Sequence, residues 1–210
     1  MKFQNYIFDL GGVLLDINMQ NALDGFRALG IPEQELRFDV GETARIMQNY
    51  QLGFLTTDEF CDAIIGRCKA GSTQDNYKNR STRKQVADAW NSIILNIPQR
   101  KIDALHSLKQ RANIFLLSNT NELHWQKCLD NWLRVDCFHH IFLSQEMHLE
   151  KPDPEIFKQA LREIAVITSG IPNAQNTVFL DDNQANVQAA IDCGISGIHV
   201  TPDYDWVLEL

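Results

Sequence analysis

Three short apolar runs, each ending abruptly in polar residues, constrain the fold of this chain more than any other feature. Tyr6-Ile7-Phe8 leads into Asp9, Ile114-Phe115-Leu116-Leu117 into Ser118, and Val178-Phe179-Leu180 into Asp181-Asp182. Apolar runs of this length, without alternation, suit strands covered on both faces, as in parallel sheets. Stretches of helical period separate them. Alternating strands and helices imply a doubly wound parallel α/β sheet with right-handed crossovers. In such sheets chemistry collects at the carboxyl ends of the strands.

The first run breaks at Gly11-Gly12, so the chain turns sharply just past Asp9. A carboxylate there is placed to act as nucleophile or metal ligand. It is equally a turn-capping residue, and this segment alone favours the cap, since Asp before Gly is common turn chemistry. The later segments reverse that balance. Ser118 and the amide of Asn119 stand where an anion is held near a helix start. Lys151, in Glu150-Lys151-Pro152-Asp153-Pro154, has a constrained backbone exit that suits a placed charge. Asp181 and Asp182 supply carboxylate for a hard cation. As neighbours at a strand end they should point to opposite sides.

With these segments in this order, the chain resembles the haloacid dehalogenase-like (HAD) hydrolase superfamily from Ile7 to Val200. Asp9, Ser118, Lys151 and Asp181-Asp182 match its four motifs. The words Asp-Leu-Gly-Gly-Val-Leu and Lys-Pro-Asp-Pro-Glu-Ile-Phe resemble the branch of sugar-phosphate phosphatases and of the phosphatase domain of soluble epoxide hydrolases. The resemblance implies a Rossmann-like core and a magnesium-dependent phosphatase acting on a small phosphorylated metabolite, a sugar phosphate among the candidates. Asp9 would be the nucleophile and pass through an aspartyl-phosphate. Lys151 would neutralise phosphate and steady Asp9, with Ser118 and Asn119 binding phosphate. Asp9, the Gly11 carbonyl and Asp182 would hold Mg²⁺, with Asp181 behind them and Asn186 on the face of Asp182.

Gly11 departs from the family pattern. Most phosphatases of the superfamily carry an acid–base Asp there, an assistance worth roughly 10²- to 10⁴-fold. Its absence points to substrates with good leaving groups, such as sugar-1-phosphates or acyl phosphates, or to a proton donor from the cap, the substrate or water. A 2-haloacid dehalogenase is the alternative enzyme. Gly11 and the Asp pair argue against it, because those enzymes usually carry an aromatic residue at the first position and need no magnesium. A phosphomutase suits the missing Asp poorly. A non-catalytic phosphometabolite-binding protein is the alternative outside enzymes.

Residues 17–97 read differently from the rest, as polar, helical in period and without strand-like runs. Leu23 to Gly30, Thr43 to Leu52, a helix capped by Thr57, and Thr82 to Leu95 make a helical cap domain inserted into a core of residues 1–16 and 98–210. The stretch Tyr50 to Thr56 resembles the caps of family members. Asp16, Asn18, Tyr50 and Trp90 are candidates for its inner face. His139, His140 and His148 lack metal spacing and read as surface or core histidines.

The remaining exclusions come from composition. Among 210 residues, 19 basic and 27 acidic ones give a formal charge of −8, which argues against a nucleic-acid partner. Five cysteines form no CxxC pair and no zinc spacing, consistent with reduced thiols in the cytoplasm. Met1-Lys2-Phe3 leads straight into the first strand with no signal peptide. No apolar run reaches the roughly 18 to 20 residues that span a bilayer. Nothing in the sequence sets the oligomeric state.

Overall fold

The protein is described by a computed structural model covering residues 3–37, 39–68, 81–170 and 173–210. Residues 69–80 of the expected cap lie outside the described residues.

The apolar runs become strands β1 (Asn5–Phe8), β2 (Asn113–Ser118) and β4 (Thr177–Asp181). They are joined by β3 (His140–Leu143) and β5 (Ser196–His199). All pair in parallel, in the order β3-β2-β1-β4-β5. β1 is therefore central, and Phe8 is in register with both Leu116 and Leu180.

Alternation along the strands sorts the core into two layers. Ile7, Phe115, Leu117 and Phe179 face one side, with Ile156, Phe157, Ala160 and Ile164 of α8 (Pro154–Ile167) and Ala190 of α9 (Gln184–Asp192). Tyr6, Phe8, Ile114, Leu116, Val178 and Leu180 face the other. There they meet Ile102, Leu105 and Leu108 of α5 (Gln99–Lys109), Cys128 of α6 (Glu122–Asn131) and Trp206 of α10 (Trp206–Glu209). Asp153 caps α8 by accepting from the Glu155 amide, with Pro154 in its first turn, a pairing that suits a helix start. The four-residue helices α7 (Ser144–Met147) and α10 have no counterpart in the sequence pattern.

Between β1 and α5 lie α1 (Met19–Ala28), α2 (Gly41–Gln51), α3 (Thr57–Arg67) and α4 (Arg83–Asn91). The chain enters and leaves this block through a neck of paired backbone. The Asp16 amide donates to Asn96 O, Leu95 N to Asp16 O, and Asn18 N to Ile93 O. Thr56, not Thr57, caps α3. It forms a reciprocal capping box with Glu59, and Thr82 does the same with Gln85 for α4. The S/T-x-x-E/Q spacing is shifted by one residue from the expected start, which frees the Thr57 hydroxyl for other contacts.

Phe26, Phe60 and Trp90 pack together at the centre of the block, Trp90 stacked on Phe26 at 5.9 Å and tilted against Phe60 at 5.7 Å between ring centroids. This apolar cluster is continuous with the α5 face of the sheet. Among the described residues, no helix is long and apolar enough to cross a membrane.

Candidate active site

The strand order brings the expected residues to one rim. The Asp9 amide donates to Leu180 O at 2.9 Å, extending the β1–β4 pairing by one step. That places the Asp9 side chain beside the end of β4. Ser118 ends β2 on the other flank of β1. Lys151 reaches in from the segment before α8. Its Nζ lies 2.7 Å from Asp9 Oδ1 and 2.7 Å from Asp181 Oδ2, and all three side chains are almost wholly buried.

Lys151 is placed by its own backbone. Asn119 clamps it reciprocally, donating Nδ2 to Lys151 O at 2.9 Å and accepting from Lys151 N at 2.9 Å. Asn119 therefore acts through its side chain as well as through the backbone amide expected at phosphate, a role that motif order does not reveal. Asp181 is held just as firmly. It accepts from the Asn183 amide at 2.8 Å and from Asn186 Nδ2 at 3.1 Å to each oxygen. Asn186 thus serves Asp181 rather than Asp182, on whose face helical spacing had placed it.

The Asp pair does not diverge as expected. Carboxylate oxygens of Asp9, Asp181 and Asp182 all lie within 4.8 Å of one another. Asp181 is the last residue of β4 and Asp182 lies beyond it, so strand alternation no longer governs the second side chain. Asp182 is packed against Gly12, which has φ +71°. A methyl group there would sit 2.1 Å from Asp182 Oδ2. The double glycine therefore does two jobs, turning the chain and leaving room for a carboxylate.

The electrostatics follow from burial. Burial pushes Asp9 up to about 7 from 3.8, with Lys151 opposing the shift and Asp181 adding to it. Burial also disfavours the charge on Lys151, yet the two flanking carboxylates outweigh it and hold the ammonium above its ordinary value. Asp182 is raised by burial, then by Asp181. Three carboxylates face one ammonium, so the rim carries excess negative charge. An all-oxygen donor set of this kind fits a hard divalent cation.

A model of haloacid dehalogenase-like hydrolases matches residues 3–194. The chain belongs to that family. This HAD-like hydrolase is 28% identical over 214 residues to D-ribitol-5-phosphate phosphatase of Bacteroides thetaiotaomicron, spanning 99% of this chain and 96% of that protein. A HAD family enzyme from the same organism, solved with magnesium and inorganic phosphate, superposes with a TM-score of 0.80 at 31% identity over 97% of each chain. A 2-haloacid dehalogenase from Pseudomonas syringae pv. Tomato shares the fold, with a TM-score of 0.60 at 16% identity over 97% of this chain and 90% of that one.

Other candidate residues of this HAD-like hydrolase fall outside the rim. Asp16 sits 3.6 Å from Lys101 and bonds Asn96. Asn18 caps α1. Tyr50 is buried, with its hydroxyl between Thr57 and the Leu123 amide. His139 accepts from the Ile114 amide and His148 donates to Leu52 O, both structural contacts. Trp90 does reach an open space. With Arg45, Gln48, Gln51 and Glu150 it lines a cavity of about 470 Å³. Glu150 immediately precedes Lys151 and is gripped by Gln48 at 2.5 Å and Gln51 at 2.7 Å.

Proposed function

We propose that the protein is a magnesium-dependent phosphatase of small phosphorylated metabolites, with sugar and polyol phosphates as the leading substrate class. One observation carries the reading: a buried Asp9–Lys151–Asp181 bridge at the rim of a parallel sheet, with a third carboxylate, Asp182, beside it. The phosphatase relative and the magnesium–phosphate complex of the HAD relative support it.

In this mechanism Lys151 holds one oxygen of Asp9 and orients the carboxylate. Asp9 attacks phosphorus, the bond to the leaving alcohol breaks, and the aspartyl-phosphate is then hydrolysed by water. Ser118 and the Asn119 amide hold phosphate oxygens. Asp9, the Gly11 carbonyl and Asp182 would hold Mg²⁺, which supplies charge neutralisation for the transferring group. Asp181 keeps Lys151 in place. Residues 17–97 act as a cap whose cavity, edged by Arg45, Gln48 and Gln51, takes the polar leaving group.

Gly11 offers no proton, so polyol and terminal sugar phosphates must draw the leaving-group proton from the cap, the substrate or water, whereas sugar-1-phosphates and acyl phosphates need less of this help. The five free thiols suit a reducing compartment, and the protein is assigned to the cytoplasm. The acidic net charge leaves no role for nucleic acid.

The test is a panel of phosphomonoesters covering pentitol, sugar-1- and terminal sugar phosphates, acyl phosphates and an aryl phosphate, each with and without Mg²⁺. Magnesium-dependent phosphate release that disappears in Asp9→Asn is expected. Halide release from 2-haloacids without metal, or phosphate release unchanged in Asp9→Asn, would overturn the reading. Equal turnover of simple alkyl and activated phosphates would remove the leaving-group preference.

A further inference from the structure

We propose a second metal site, for zinc or a similar borderline-soft divalent ion, formed by His106, Asp136 and Cys137 at the end of the sheet opposite Asp9. His106 lies in the last turn of α5, just before β2 begins. Asp136 and Cys137 lie in the turn that leads into β3. Both segments therefore sit at the amino ends of the strands, while the candidate active site occupies the carboxyl ends.

Three observations converge. First, the donors meet. Cys137 Sγ lies 3.3 Å from His106 Nε2, and a carboxylate oxygen of Asp136 lies within 4.8 Å of both. In a tetrahedral zinc site, Zn–S of about 2.3 Å and Zn–N of about 2.0–2.1 Å put sulfur and nitrogen about 3.5 Å apart. The sulfur–nitrogen spacing is close to that value, and only the exposed Asp136 side chain has to rotate inward.

Second, the two segments are bolted together independently of the donors. Lys109, one turn after His106 on the same helix, donates to Asp136 O at 2.6 Å and to Phe138 O at 3.0 Å. The turn is thereby set against the helix before any ion arrives. Arg134 touches Asp136 only loosely, at 3.7 Å, with both side chains largely exposed.

Third, the donor chemistry is selective. A thiol, an imidazole and a carboxylate match zinc, whereas magnesium takes oxygen ligands. Three protein donors leave a fourth position for water. Binding would convert the thiol to a thiolate, its proton passing to solvent. The cysteine spacing carried no such signal, because the imidazole partner comes from a different element of the fold.

The test uses the intact chain, stripped of metal and titrated with Co²⁺ in excess Mg²⁺, so that the carboxylate rim is occupied by the harder ion. A near-ultraviolet thiolate-to-cobalt band with strong visible bands of four-coordinate cobalt is expected, displaced by one equivalent of Zn²⁺. Cys137→Ser should abolish the band. His106→Ala, at an exposed position that leaves the core intact, should weaken Co²⁺ affinity at least tenfold and remove the rise in Tm that Zn²⁺ gives the wild type. Absence of the band in the wild type, or affinity and band unchanged in His106→Ala, would overturn the site.

Discussion

Gly12→Ala separates backbone strain from damage to the candidate metal site. Gly12 has φ +71°, and left-handed backbone costs an L-residue roughly 1–2 kcal/mol. Its new methyl would also lie 2.1 Å from Asp182 Oδ2, 2.4 Å from Cγ and 2.9 Å from Cβ. Comfortable contact begins near about 3.5 Å, so the Asp182 carboxylate must retreat by on the order of 1 Å. A misplacement of about 1 Å in an active site can cost roughly 10²-fold in rate. Gly194→Ala is the control. Gly194 has φ +84°, but among the described residues its methyl would meet only Ala174 Cβ at 3.5 Å, an ordinary contact. Both variants should lose about 1–2 kcal/mol of stability in urea melts. Only Gly12→Ala should lose about two orders of magnitude in kcat/KM and require more Mg²⁺ for half-maximal rate. Wild-type turnover and magnesium dependence in Gly12→Ala, alongside a stability loss equal to that of Gly194→Ala, would refute the argument that Asp182 must stand where the glycine leaves room.

Lys151→Met should abolish turnover and cost about 3–5 kcal/mol of stability, because it leaves Asp9 and Asp181 buried without their shared cation; denaturation midpoints of purified variant and wild type measure this. In EDTA, the stability of wild type relative to Asp9→Asn should fall as pH rises from near 3.8 towards about 7, the ordinary and folded values for Asp9. The sign follows because the folded state retains a proton that the unfolded chain has already released. Saturating Mg²⁺ should flatten that slope, which urea melts across the pH range will show. Ser144→Ala should cost about 1–3 kcal/mol, since the hydroxyl bridges Gln51 O, Thr120 O and the Thr120 amide, and its loss leaves buried groups unpaired. Unchanged unfolding of that variant would show that this bridge between α2 and the core carries no weight.

The sheet was legible because its strands are buried on both faces, so Ile7-Phe8, Leu116-Leu117 and Phe179-Leu180 stand out as unbroken apolar runs. Helix ends were legible where caps are local: Asp153 before Pro154, and Gly30, Gly53 and Gly194 in left-handed backbone after α1, α2 and α9. α7 and α10 were not, because four residues carry too little periodicity. The rim residues could be named from motif order, but their partners could not. The Asn119 clamp on Lys151 and the turn of Asp182 towards Asp9 depend on segments far apart in sequence. The histidines illustrate the same limit. His124 reads as one more helix residue, yet it is buried against Trp90 at 4.8 Å between ring centroids and donates to the Trp90 carbonyl at 3.1 Å. Burial pushes it down to about 4, so it joins α4 to α6 as a neutral ring.

Of the five strands of the sheet, the one synthesised first ends in the middle. β1 waits for β2, which begins only at Asn113, and then for β4, which begins at Thr177. A nascent polypeptide therefore carries an apolar ribbon with both borders unmated while residues 9–112 are being translated. Such borders recruit stray chains. Aggregation on the ribosome is accordingly the characteristic failure of this topology, and holdase chaperones that shield the amino-terminal ribbon should raise soluble yield more than any substitution that strengthens the finished protein.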